Sequence, residues 1–164
     1  MKNVFPTCTL VTPTYNWPEA LELLLLSVKV QSHLPDEVIV ADDGSKKETE
    51  LLIKKMQKDF PVPLHHVWHE DNGFQKTIIL NKATVASKGN YLVYTDGDCI
   101  ARADFLQVHV DRREAGCFLS GGYFKLPMTI SKLISKTEIE NQFCIDINWL
   151  KLNGLKRSFK NNKI

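Results

Sequence analysis

Two short apolar runs in this chain each end in a pair of carboxylates, and no other feature of the sequence restricts the fold as much. Glu37-Val38-Ile39-Val40-Ala41 leads into Asp42-Asp43-Gly44-Ser45, and Tyr91-Leu92-Val93-Tyr94-Thr95 leads into Asp96-Gly97-Asp98. Continuous apolar runs of this length suit strands buried on both faces of a parallel sheet. In open sheets of that kind, ligands bind beyond the carboxyl ends of the strands. Two such ends would set Asp42, Asp43, Asp96 and Asp98 along one edge. Clustered negative charge is costly unless a cation or hydrogen-bond donors offset it. Asp96 and Asp98 flank Gly97 and suit a hard divalent cation, Mg2+ or Mn2+, which takes oxygen ligands. A polar turn after a strand would read the same way in isolation. For Asp42 or Asp43, charge placed at a helix N-terminus would also suffice as a reason. Gly97 would let the backbone turn and come close to a ligand.

The rest of the chain alternates in the same manner. Thr9 to Thr12 reads as a first strand. Asn16 and Glu19 read as an N-cap and its capping-box partner, with Pro18 in the first helical turn. The helix that follows buries Leu21, Leu24, Leu25 and Val28 at helical spacing. Ser45 and Glu48 repeat the capping-box pattern, so a second helix is expected from about Lys46 to Asp59, presenting Leu52, Ile53 and Met56. After Pro61-Val62-Pro63 come a strand from Leu64 to Trp68 and a helix from about Phe74 to Ser87, closed by Lys88-Gly89. The fourth strand leads into Asp96. A helix near Ala103 to Glu114 and an apolar strand at Cys117 to Ser120 are expected next, and beyond Pro127 the pattern is mainly helical. This order predicts a right-handed, doubly wound, mostly parallel α/β sheet of Rossmann-like type.

A length of 164 residues, 43% of them apolar and 24% charged, fits a globular domain with a core of its own. A net charge of +2 gives no sign of a nucleic-acid partner, and none is expected. The basic end, with Lys151, Lys156, Arg157, Lys160 and Lys163 and no acid, would attract phosphate or an anionic membrane surface. A solvated tail explains it equally. Cys8, Cys99, Cys117 and Cys144 lack the spacing of a zinc site. With no signal peptide and no apolar stretch long enough to span a bilayer, a cytoplasmic setting with free thiols is expected, including the inner face of the membrane. His65, His66 and His69 suggest a metal cluster, but adjacent residues of a strand point to opposite faces, which argues against one. Trp17, Trp68 and Trp149 read as packing residues, with Trp17 close to the proposed ligand edge, and Cys99 as a structural thiol.

Four segments in order resemble the family 2 glycosyltransferases and their nucleotide-binding GT-A fold. They are Val11-Thr12-Pro13-Thr14-Tyr15-Asn16, Val40-Ala41-Asp42-Asp43-Gly44-Ser45, Asn72-Gly73-Phe74 with Asn81-Lys82-Ala83, and Thr95-Asp96-Gly97-Asp98. The resemblance covers roughly residues 5 to 125, and the combination is far more specific than any one segment. It implies that Pro13 and Tyr15 flank the base of a UDP-sugar, with Tyr15 offering an aromatic face. It implies that Asp43 accepts the uracil imide N–H and that Asp42 supports the same pocket. Asp96 would reach the ribose or a metal-bound water, and Asp98 would ligate the Mn2+ or Mg2+ that bridges the diphosphate. Inverting transfer to a carbohydrate or lipid-linked acceptor, in polysaccharide synthesis, follows from the resemblance as well.

Two departures qualify it. Where many relatives carry arginines near the diphosphate, this chain has Lys76 alone, a point charge rather than a bidentate fork. No carboxylate after Asp98 stands in the context of the family's general base; Asp111, Glu114, Glu138, Glu140 and Asp146 all lie outside it. The expected organisation is therefore a nucleotide-sugar-binding unit, residues 1–125, and an incomplete, mainly helical start of the acceptor half, residues 126–164. The base is expected to be absent from this chain. A module that binds UDP or a UDP-sugar and metal without transfer, pairing with itself or with a chain that supplies the base, is the competing expectation. A sugar-phosphate nucleotidyltransferase would want a glycine-rich loop after the first strand, and a receiver domain an acidic pair there. Thr12-Pro13-Thr14-Tyr15 provides neither.

Overall fold

The computed structural model describes residues 7–156; Arg157, Lys160 and Lys163 of the basic end lie outside that range. Four strands, β1 (Cys8–Thr14), β2 (Glu37–Asp42), β3 (Leu64–Trp68) and β4 (Tyr91–Tyr94), form one sheet in the order β3-β2-β1-β4. All three neighbouring pairs are parallel, with Val11 opposite Ile39 on one side and Tyr94 on the other. Helices α1 (Pro18–Lys29), α2 (Lys47–Gln57) and α3 (Lys76–Ala86) connect them. This is the doubly wound parallel arrangement expected from the alternation.

Side-chain alternation along the two inner strands builds two cores. Cys8 and Leu10 of β1 join Val38, Val40 and Val93 against Leu21, Leu24, Leu25 and Val28 of α1 and Leu52, Ile53 and Met56 of α2. On the other face Val11, Ile39 and Ala41 pack on Ile79 and Ala83 of α3. Burying each of these leucines or isoleucines contributes roughly 1.5–3 kcal/mol relative to leaving it in water. Helices on both faces account for the unbroken burial of β1 and β2, in which every residue is buried. Even Glu37 is taken inside, where Oε1 accepts from the Thr9 hydroxyl at 2.7 Å and from the Lys88 N–H at 2.6 Å.

The chain runs from β1 to β2 to β3 in one direction and then crosses to β4 on the far side of β1. The strand order thus reverses between β1 and β4. A crevice opens beyond the carboxyl ends of the strands at such a point.

Two expected caps are not caps. Helix α1 begins at Pro18 with Trp17 as its N-cap, and α2 begins at Lys47 with Lys46; neither has a side-chain cap. Asn16 instead lies in the left-handed region at φ 47°. Its N–H donates to Ser45 Oγ at 2.9 Å, and its Oδ1 accepts from the Lys46 N–H at 2.8 Å. Parallel pairing of Thr14 with Asp42 brings the two following loops side by side, so each side chain finds the other loop rather than its own helix. Genuine caps occur further on, where Ser135 and Glu138 form a capping box on α6 (Lys136–Glu140) and Asp146 caps α7 (Ile147–Leu152).

Helix α4 (Phe105–Arg112), the short α5 (Met128–Ser131) and a 3-10 turn (Phe143–Ile145) are the other helical segments among the described residues. The apolar run Cys117 to Ser120, expected as a strand, is irregular, and Phe118 is 89% exposed. The sheet ends at β4, and among the described residues no further strand stands beside it to pair with that run. The helical segments after Pro127 pack onto the domain through Ile134, Ile139 and Cys144, which meet Leu23, Leu26 and Val30. Among the described residues no helix is long and apolar enough to cross a membrane.

All four thiols are free. Burial pushes the Cys8 thiol up to about 11, with Asp36 adding to the effect. Burial, then Asp98 and Asp96, push Cys99 up to about 11. At pH 8 only about one in a thousand such thiols is the reactive thiolate. The exposed Cys117 is therefore expected to be alkylated by iodoacetamide at least about tenfold faster than Cys8 or Cys99. Peptide mass spectrometry over a time course reads this directly, and early labelling of Cys99 would contradict it.

Candidate active site

The crevice between β1 and β4 holds a cavity of about 300 Å³. Pro13, Thr14 and Tyr15 contribute from the end of β1, Asp43 from the end of β2, Phe74 and Lys76 from the start of α3, and Asp96, Gly97 and Asp98 from the end of β4. Trp17 and Ala20 of the α1 entry close the remaining side. Of the residues singled out from the sequence, Pro13, Tyr15, Asp43, Lys76, Asp96 and Asp98 therefore line one cavity. Asp42 does not. Its carboxylate is turned inward and 1% exposed, accepting from the Ser45 N–H at 2.8 Å while His66 Nε2 lies 2.8 Å from its other oxygen.

Backbone bonds fix the two acidic loops on the strands. The Asp43 N–H donates to the Thr14 carbonyl at 3.0 Å, and the Thr95 N–H donates to the Val11 carbonyl at 3.2 Å. Gly97, which lines the cavity, also packs closely on β1. A Cβ there would lie 2.3 Å from the Pro13 carbonyl oxygen. The glycine thus allows a close approach to the β1 backbone. Gly44, at φ +90°, packs on the next loop, where a Cβ would lie 2.6 Å from Asp71 Cα.

The loop between β3 and α3 forms one wall. Tyr15 donates its hydroxyl proton to Asp71 Oδ2 at 2.9 Å, and Asp71 Oδ1 accepts from the Gly73 N–H at 3.0 Å. Bonding to Asp71 and the charge of that carboxylate raise the Tyr15 pKa. Phe74, 88% exposed, and Tyr15, half-exposed, offer aromatic faces to the cavity. Asp43 is held from two sides, with His69 Nε2 2.7 Å from Oδ1 and the Gln75 N–H donating to Oδ2 at 3.0 Å. Asp71, His69 and Gln75 carry no motif of their own; only the return of the β3–α3 loop to the end of β2 reveals them.

The three histidines serve three separate carboxylates. His65 lies 3.3 Å from Glu37, His66 pairs with Asp42 and His69 with Asp43. Trp68 donates to the Ser45 carbonyl at 3.2 Å, and Trp149 packs in the small core of Ile130, Leu150 and Leu155. Trp17 is the tryptophan that reaches the cavity.

Asp96 and Asp98 are a donor set whose oxygen chemistry fits a hard divalent cation. Two carboxylates supply hard oxygen ligands, and such ions complete their shell with water and phosphate oxygens. Among the described residues no group of three or more His, Cys, Asp or Glu converges on one point, so a dedicated all-protein cage is not what this cavity offers. The Lys76 ammonium lies 2.5 Å from Asp96 Oδ1, which marks the spot as one that holds positive charge.

The switch-point cavity of this parallel α/β sheet combines aromatic walls, a buried carboxylate and an exposed acidic pair. The chain belongs to glycosyl transferase family 2, whose model matches residues 9–137. It is 31% identical over 104 residues to the chondroitin synthase of Escherichia coli, covering 63% of this chain and 15% of that protein. It is 30% identical over 121 residues to TuaG of Bacillus subtilis (strain 168), named as a teichuronic acid biosynthesis glycosyltransferase, covering 73% of this chain and 47% of TuaG. Among solved structures, the mannosyltransferase PcManGT from Pyrobaculum calidifontis, in complex with GDP-Man and Mn2+, superposes with a TM-score of 0.57 at 27% identity. That match covers 66% of this chain and 32% of that one. The chain thus spans less than half the length of each of these relatives.

Proposed function

We propose that this chain binds the donor of an inverting, metal-dependent glycosyl transfer, a UDP-sugar, for a carbohydrate or lipid-linked acceptor in polysaccharide synthesis. The observation that carries the reading is the convergence of Pro13, Tyr15, Asp43, Lys76, Asp96 and Asp98 on one cavity at the switch point of the sheet. Tyr15 and Pro13 flank the base. Asp43, held by His69 and the Gln75 N–H, offers carboxylate lone pairs to an imide N–H. Uracil and guanine both present such a proton, whereas cytosine does not. Asp96 and Asp98 would hold Mn2+ or Mg2+, and Lys76, paired with Asp96 here, would supply a positive charge to the diphosphate. The ion would stabilise charge on the departing nucleoside diphosphate as a Lewis acid.

A second reading is a module that binds nucleotide sugar without transferring it, on the membrane face or in association with another chain. One observation favours it: four of the five carboxylates named after Asp98, all but Glu114, have structural partners. Asp146 caps α7, Glu138 completes the Ser135 capping box, Glu140 pairs with Lys136, and Asp111 accepts from Gln107. A base must lie within hydrogen-bond reach of the acceptor hydroxyl.

Calorimetric titration with UDP and with GDP, each with and without Mn2+, tests the donor site. Metal-enhanced binding of UDP is expected, and a folded chain that binds neither nucleotide would remove the donor-site reading. Transfer from a radiolabelled UDP-sugar to mixed oligosaccharides then separates the two readings.

A further inference from the structure

We propose that His69 and Lys82 are positioning residues that hold Asp43 as a hydrogen-bond acceptor and so set the choice of nucleobase. The proposal rests on the donor-site reading of Asp43. Lys82 on α3 places its Nζ 3.2 Å from His69 Nδ1, and His69 Nε2 lies 2.7 Å from Asp43 Oδ1. The three residues come from α3, the loop after β3 and the end of β2.

The direction of the chain follows from what each group can do. A lysine ammonium only donates, and a neutral imidazole donates from one nitrogen and accepts at the other. Lys82 therefore makes Nδ1 the acceptor and leaves the ring proton on Nε2, which donates to Asp43. The Gln75 N–H supplies the second donor, to Oδ2. With the opposite tautomer, a nitrogen lone pair would face a carboxylate oxygen at 2.7 Å. Asp43 would then have to carry a proton to keep the contact. A protonated Asp43 would present a donor to the base and favour cytosine, whose ring N3 accepts, over an imide. Asp43 and His69 have side chains only 6% and 9% exposed, so water cannot easily replace either partner. Lys82 is exposed, which makes it the residue to change without disturbing the core.

The test is Lys82→Met, read by two measurements. Nitrogen-15 NMR of the imidazole, without nucleotide, reports which ring nitrogen carries the proton. Titration with UDP and CDP reports recognition. Wild type is expected to show Nε2–H alone and to prefer UDP. Lys82→Met is expected to show mixed tautomers, a UDP affinity about tenfold lower and a UDP-to-CDP preference reduced by a similar factor, with an unchanged melting temperature. His69→Gln should restore most of the preference that His69→Ala loses, because the amide can donate to Asp43 and accept from Lys82. A wild-type His69 protonated on Nδ1 would overturn the proposal. So would a Lys82→Met chain that keeps both the tautomer and the UDP preference. If wild type binds no nucleotide, the donor-site reading and the recognition half of this proposal fall together, and the tautomer measurement still reports separately on the Lys82–His69 link.

Discussion

Replacing Asp98 by Asn is expected to cost about 10–100-fold or more in Mn2+-dependent affinity for UDP while leaving the metal-free affinity unchanged. Removing even an outer partner of a metal ligand typically costs that much. Asparagine keeps the size and shape of the side chain and removes the charge, so the cavity survives and the ion loses its anionic ligand. Asp98 has little structural work to confuse the result. Among the described residues its polar contact is a 3.8 Å approach by the Cys99 thiol, so the melting temperature should move little, within about 0.5 kcal/mol of wild-type stability. Titrating UDP into both proteins with and without Mn2+ measures the effect. If the asparagine form still gains affinity from Mn2+ as wild type does, Asp98 is not a ligand. Asp96→Asn would be a poorer first choice, because it also breaks the Lys76 ion pair.

Gly97→Ala is expected to damage both stability and binding. The added methyl would meet the Pro13 carbonyl oxygen at 2.3 Å, a distance real Cβ atoms do not tolerate. That carbonyl has little freedom to retreat, since Pro13 is buried and stands in register with Ala41 of β2. The loop from Thr95 to Asp98 must move instead. Overpacking of this kind costs about 1–3 kcal/mol. A shift of about 1 Å in groups that position a reactant is enough to cost roughly a hundredfold in function. Urea unfolding measures the first effect and UDP titration with Mn2+ the second. An alanine form with wild-type values in both would mean that the contact between the two loops is dispensable.

Both predictions rest on side chains whose types were visible in the sequence and whose neighbours were not. The acidic pairs, the aromatic at Tyr15 and the cation at Lys76 stand out because each follows an apolar strand or opens a helix. The alternation of strand and helix then sends them to one edge of a parallel sheet. Asp42 shows the limit of that reasoning. It has the same sequence context as Asp43, yet strand pleating turns one carboxylate inward to His66 and Ser45 and leaves the other at the cavity wall. His69 and Asp71 were illegible because they become neighbours of Asp43 and Tyr15 only through a loop returning from the third strand.

Local pattern also misled where tertiary contacts outbid it. Asn16 and Ser45 have the residue types of helix caps, and a cap is worth about 1 kcal/mol. Crossing to the opposite loop satisfies the same polar atoms and in addition ties the ends of β1 and β2 together. The run Cys117 to Ser120 has strand composition, but a strand needs a partner for its backbone, and the sheet stops at β4.

What the sequence by itself determined is therefore the four strands of the sheet with the helices between them, their parallel winding and the chemistry available at the strand ends, because hydrophobic period and chain order act locally and leave few topologies. Only the tertiary structure decided which carboxylate faces the cavity, which histidine steadies it and why Gly97 must be glycine. Those are distances between residues far apart in the chain, and they exist only once the strands are side by side.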